Sequence, residues 1–182
     1  MDIILIPIII VCCILIIPML FNWIKREKEK QIQLRAHMTD ITLITNSIYL
    51  GSTESASDID VLDYLGITHI LIMDPHADPL FTDKIKYLKF SIADNTLSVI
   101  GKYFQEAYQF IDEGVREGRV LVYCWQGLSR SATIVCSYLM KEWDNSFEDV
   151  FLYVYQRRKI NPNPAYRTQL EIWYDNGFSI ED

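Results

Sequence analysis

The chain has 182 residues, half of them hydrophobic, which suits one domain with room to bury a core and leaves little for a second. Seven glycines and six prolines exclude collagen-like and low-complexity chains, and a formal net charge of −7 disfavours nucleic acid as a partner. The four cysteines, Cys12, Cys13, Cys124 and Cys136, show no C-x-x-C pair, so neither a zinc ribbon nor a disulfide-stapled fold is expected.

Residues 3–21 form a run without charge. A helix of that length spans roughly 28 Å, close to a bilayer core. Pro7 and Pro18 are tolerable in such a helix, and Trp23 stands where an interfacial anchor would. Asp2 precedes the run where a signal peptide would carry basic residues, so an uncleaved anchor over residues 1–24 is expected. Lys25, Arg26, Lys28, Lys30 and Arg35 follow it, interleaved with Glu27 and Glu29. This basic juxtamembrane stalk, residues 25–38, predicts a single-pass membrane protein whose remainder faces the cytosol. Residues 36–182 hold 12 basic and 21 acidic side chains, so the domain itself is repelled by anionic lipid.

Residues 41–44 and 48–50 read as a short hairpin across Thr-Asn-Ser. Ser57 with Asp60 predicts a capping box for a helix that buries Ile59, Leu62 and Leu65 and stops at Gly66. Residues 68–73 read as an apolar strand ending at Asp74-Pro75, and 85–92 as another. Helical periodicity runs over 98–117, with Ile100, Phe104, Ala107, Phe110 or Ile111, and Val115 on one face. Residues 119–123, Arg-Val-Leu-Val-Tyr, read as the central strand of a covered sheet. Residues 131–143 are apolar almost all round and predict a buried helix. Ser146 with Asp149 caps another, and Pro164 starts a last helix that Gly177 stops. Strands alternating with helices, then helices alone, predict an α/β fold: a mostly parallel central sheet flanked by helices.

The segment that carries chemistry is Cys124-Trp125-Gln126-Gly127-Leu128-Ser129-Arg130-Ser131. A buried strand ends at the cysteine and a helix begins near the arginine. Backbone N–H groups of such a loop can point inward as an anion nest, with the positive helix N-terminus behind. Gly127 permits the tight turn, and Arg130 can hold two phosphate oxygens at once. A cysteine on the floor of that cradle is favoured as thiolate, and a thiolate below a bound phosphoryl group is a nucleophile. Cys136, among Ile134, Val135 and Leu139, reads as an inert core residue.

With these motifs the chain resembles the dual-specificity phosphatases of the cysteine-dependent protein tyrosine phosphatase superfamily. The family pattern H-C-x-x-G-x-x-R-S falls on residues 123–131. Ile48-Tyr-Leu-Gly51, residues 65–70 (Leu-Gly-Ile-Thr-His-Ile), Phe110-Ile-Asp-Glu113 and Asn161-Pro-Asn163 match as well. The resemblance covers residues from about 40 to 176, sets a catalytic domain over 39–178, and implies a sheet of about five strands with a shallow phosphate pocket and no metal or organic cofactor. It implies Cys124 as nucleophile, Arg130 as phosphate clamp, and residues 125–130 as the substrate cradle. Asp94 takes the place of the general acid, protonating the leaving oxygen and then activating water. Ser131 is similar to the hydroxyl that helps discharge the thiolate, and Asn163 and Gln169 to residues that brace the loop.

The implied function is hydrolysis of phosphotyrosine, phosphoserine and phosphothreonine in phosphoprotein substrates through a phosphocysteine intermediate, at a membrane. One residue departs from the pattern: Tyr123 stands where the family has the histidine that organises hydrogen bonds around the loop. A pseudophosphatase that binds phosphoproteins without turning them over is therefore an alternative reading. A phosphoinositide phosphatase is another, disfavoured because the loop holds no lysine.

Overall fold

The computed structural model describes residues 5–179, and the side chains of the first helix from Ile16 onward. The chain divides into two compact units, one reaching Met38 and one starting at Thr39.

The first unit is a single helix, α1, Leu5–Met38, running through the expected anchor and the expected stalk without a break. Pro18 lies inside it. Ile17, Met19, Phe21 and Trp23 are all more than 60% exposed, so this stretch presents apolar surface that the described residues leave uncovered. Among the described residues, no helix is long and apolar enough to cross a membrane. The expected span thus finds no support there, because the side chains over most of its length lie outside the described residues.

In the second unit, β1 (Ile41–Leu43) pairs antiparallel with β2 (Ile48–Gly51). The Thr45 hydroxyl accepts from the amides of Ser47 and Ile48 and so closes the expected hairpin. Helix α2 (Ile59–Leu65) is capped by Asp58, one residue after the expected Ser57. The Asp58 carboxylate accepts from the amides of Asp60 and Val61, while the Ser57 hydroxyl donates to the Glu54 carbonyl of the preceding 3-10 turn. Gly66 ends α2 at φ +71°, a conformation that costs glycine nothing. Val61 and Leu62 are the buried residues of α2; Ile59 and Leu65 are half-buried.

Strands β3 (Ile67–Ile72), β4 (Lys86–Lys89) and β5 (Arg119–Tyr123) follow, giving one sheet in the order β1-β2-β5-β3-β4. The strands β2, β5, β3 and β4 are mutually parallel, and β1 is an antiparallel edge. Strand β4 is shorter than residues 85–92: it pairs with β3 alone, and that partner ends at Ile72. Helix α3 (Phe104–Glu117) starts later than residue 98. The chain before it is a 3-10 turn, Gly101–Tyr103, whose first amide donates to the Gln169 side chain instead of to a helical carbonyl.

Helices α4 (Arg130–Trp143), α5 (Phe147–Arg157) and α6 (Pro164–Asp175) complete the unit. The Ser146 hydroxyl caps α5 and the Asn163 side chain caps α6, as Ser/Asn positions ahead of apolar runs should. Eleven successive residues of α4, Arg130 to Met140, are buried, so it is the central helix of one apolar layer.

Alternation along β5 decides which residues can meet. Val120, Val122 and Cys124 face the layer built with α3, α4 and α6, whereas Leu121 and Tyr123 face the smaller layer built with α2. Strand β5 lies between β2 and β3 although it follows both in sequence. Its carboxyl end therefore opens into a crevice at the point where the strand order reverses, the usual ligand position of a parallel sheet.

Candidate active site

The loop from Cys124 to Ser129 lies at that carboxyl end and runs straight into α4. Cys124 is buried at 2% exposure, and the hydroxyl of Ser131, the second residue of α4, donates to Cys124 Sγ at 3.1 Å. The sulfur thus sits at the amino end of α4 with a hydroxyl donor turned toward it.

Gly127 has φ +68° and packs so closely that a Cβ would run into the Gly51 carbonyl and the Arg158 guanidinium. Arg158 is the brace of the loop. Its Nε donates to the Gly127 carbonyl at 3.0 Å and one terminal nitrogen donates to the Gln126 carbonyl at 3.0 Å. Both terminal nitrogens grip the Asp40 carboxylate, at 2.6 and 2.8 Å. That grip holds the Asp40 carboxyl below the usual carboxylate range. The Asn161 amide, donating to the Leu128 carbonyl at 2.8 Å, ties down the far side. With their carbonyls turned outward to these partners, Gln126, Gly127 and Leu128 are free to present their amides to an anion.

Arg130, 8% exposed, donates to the Ile92 carbonyl at 3.1 Å and lies 3.6 Å from Asp74 Oδ2 and 3.8 Å from Asp94 Oδ2. Its buried Nε has no hydrogen-bond partner among the described residues. A buried guanidinium donor without a hydrogen bond is costly unless a ligand completes it, so its place beside the loop marks an oxyanion position.

Asp94 faces the same space. Its Oδ1 accepts from the Ser129 hydroxyl at 2.9 Å and from Asn163 Nδ2 at 3.2 Å. The Tyr166 hydroxyl holds the neighbouring Ala93 carbonyl at 2.7 Å. Asp94, Cys124, Trp125, Gln126, Leu128, Ser129 and Arg130 line one recess of about 210 Å³. All the expected substrate-cradle and catalytic residues therefore converge, Ser131 beneath and Gly127 in the turn.

Gln169 does not brace this loop. Its side chain accepts from the Gly101 amide and donates to the Ser98 carbonyl, fixing the chain between Asp94 and α3. Tyr123 points away from the sulfur into the α2 layer, where burial raises its phenol, and its hydroxyl makes no hydrogen bond among the described residues.

Sequence reading missed Asp74, Asp40 and Arg158. Asp74 is 2% exposed and was legible only as the end of a strand. Asp40 and Arg158 lie 118 positions apart, and no local spacing connects them. Among the described residues, His69, Glu113 and Glu117 bring three potential metal-ligand atoms within 4.8 Å. Glu113 is already bonded to Lys86 Nζ at 2.5 Å, and the cluster lies between β3 and α3, apart from the cysteine loop.

Residues 48–176 match the dual specificity phosphatase catalytic domain. The chain belongs to this family. It is 38% identical over 144 residues to a MAP kinase phosphatase with leucine-rich repeats of Dictyostelium discoideum, covering 76% of this chain and 17% of that protein. It is 35% identical over 134 residues to dual specificity protein phosphatase 1B of Arabidopsis thaliana, covering 72% of this chain and 80% of the relative. The chain thus spans a small part of the first relative's length and most of the second's. A crystal structure of a human tyrosine phosphatase-like serine/threonine/tyrosine-interacting protein superposes with a TM-score of 0.71 at 34% identity, over 75% of this chain and 96% of that one. The second unit is accordingly a dual specificity phosphatase fold, with the five-stranded sheet and flanking helices that the resemblance implied.

Proposed function

We propose that this chain hydrolyses phosphotyrosine and phosphoserine/phosphothreonine in proteins, with Cys124 as nucleophile. The observation that carries the reading is the Ser131 hydroxyl bonded to Cys124 Sγ at 3.1 Å, beneath a buried arginine whose Nε has no hydrogen-bond partner among the described residues.

The phosphoryl oxygens occupy the amide ring and the Arg130 fork, which places phosphorus above Sγ. The thiolate forms the S–P bond as the P–O bond to the substrate breaks. Asp94 delivers its proton to the departing oxygen. Its carboxylate then takes a proton from water as the water oxygen attacks the phosphocysteine. Sulfur leaves as thiolate, stabilised by the Ser131 hydroxyl, and inorganic phosphate departs. Ser129 and Asn163 hold Asp94 on the correct side of the recess for both proton transfers.

Residues 3–21 serve in this reading as the membrane anchor, with the catalytic unit on the cytosolic side. The exposed apolar side chains from Ile16 to Ile24, followed by basic residues, support it.

Tyr123, turned away without a hydrogen bond, favours a second reading: a phosphoprotein-binding pseudophosphatase. One assay separates the two. The full-length chain in detergent should hydrolyse a small aryl phosphate, and Cys124→Ser should remove at least 99% of the rate, by the scale of nucleophile losses. Phosphopeptide binding with no turnover between pH 5 and 8 would select the pseudophosphatase.

A further inference from the structure

We propose that a second recess beside the cysteine loop is a subsite for a lysine or arginine adjoining the phosphorylated residue, a reading that rests on the phosphatase function proposed above. The recess measures about 500 Å³ and is lined by Asp40, Ser52, Thr53, Glu54, Trp125 and Gln126. It shares Trp125 and Gln126 with the recess over Cys124. The two recesses meet along Trp125 and Gln126, so a peptide seated with its phosphate over Cys124 carries its flanking side chains past this wall.

Three features set the chemistry that fits. Trp125 is 64% exposed, so an indole face stands open at the mouth instead of packing in the core. Glu54 is exposed, and its carboxylate makes no ion pair among the described residues. The Thr53 hydroxyl is buried behind the wall with no hydrogen-bond partner among the described residues.

The other carboxylate, Asp40, is neutralised by its two bonds from Arg158. The remaining charge on the lining is therefore the negative charge of Glu54. A cation with a long aliphatic stem meets all of this: the stem lies on the indole and the charged head reaches the carboxylate. An acidic neighbour meets like charge and gains nothing from the ring. The acidic surplus of residues 36–182 works in the same direction, drawing basic segments toward the site.

The experiment uses full-length protein carrying Cys124→Ser, which holds substrate without consuming it. Fluorescent phosphotyrosine peptides with lysine, alanine or glutamate on both sides of the phosphoresidue are titrated by anisotropy. The lysine peptide should bind about tenfold more tightly than the glutamate peptide, as a cation–π contact and an exposed ion pair together predict. Glu54→Lys should abolish or reverse that order, and Trp125→Ala should reduce it. Equal affinities, or an order that survives both substitutions, overturns the subsite. Turnover of an aryl phosphate by the native chain reports on the phosphatase reading alone. Its absence alongside an intact lysine preference sinks catalysis and keeps the subsite. No phosphopeptide binding at all overturns both.

Discussion

Asp94 must give a proton and take one back within a single turnover, and its contacts are arranged for that. The Ser129 hydroxyl and Asn163 Nδ2 both donate to Oδ1, so Oδ2, which lies 3.8 Å from Arg130 Nε without a hydrogen bond among the described residues, is the oxygen that can exchange a proton with the leaving group and then with water. Asp94→Asn keeps the shape and removes the exchange. The rate on an alkyl phosphate such as phosphoserine should fall by about 10²–10⁴. An aryl phosphate, whose leaving group departs with little help, should lose far less. Equal losses on both, read from kcat across a leaving-group series, would mean that Asp94 only positions the loop. At this scale the sequence was most legible for Cys124, Gly127, Arg130 and Ser131, because one loop and one helix turn place them and their spacing is local. Asp74 was not: its pairing with Arg130 is made across the fold and leaves no periodic trace.

Among the elements, the cysteine loop owes its shape to a residue outside it. Arg158, in the chain after α5, fixes the carbonyls of Gln126 and Gly127 and spans to Asp40 ahead of β1. Lysine can supply the charge but not the fork. Arg158→Lys should cost about 1–3 kcal/mol in denaturant titration and raise KM for an aryl phosphate. Unchanged stability and KM would show that the loop holds itself. The same pair sets an acid limb. Asp40 binds its proton less readily in the folded chain, chiefly through the Arg158 hydrogen bonds. The stability it lends is present above its ordinary value near 3.8 and is lost as pH falls through the lower folded value. Acid denaturation of Arg158→Lys should therefore depend less steeply on pH below about 4 than that of the native chain. Elements with strong periodicity, such as α3 and α4, were readable from sequence. Their ends were less so: Asp58 displaces Ser57 as the α2 cap, and Gln169 delays the start of α3 by engaging the Gly101 amide.

For the molecule as a whole, charge and greasiness are segregated along the chain. Residues 1–24 hold the uncharged run, 25–38 the basic cluster, and the remainder the acidic surplus. If the run anchors the protein, the full chain should stay with membranes through alkaline carbonate extraction, and deletion of residues 1–35 should release it. Release of the full chain by carbonate would refute the anchor. The α/β class was legible, since alternating β and α signals and a covered central strand leave few arrangements, and the phosphatase fold came through the resemblance that residues 123–131 carry. The assignment of residues to the two faces of that sheet rests on strand alternation, and it is this that turns Tyr123 away from the sulfur beside it.

The central claim is that Cys124 takes the phosphoryl group itself. Cys136, buried in α4 with its thiol pushed up to about 12, offers no competing thiolate. Rapid acid quench of the full-length protein turning over an aryl phosphate, followed by peptide mass spectrometry, reads this directly. A phosphoryl group on the peptide bearing Cys124, absent from Asp94-intact Cys124→Ser protein, is the predicted result. Sustained turnover with that peptide unmodified, or with Cys124 replaced, would contradict it.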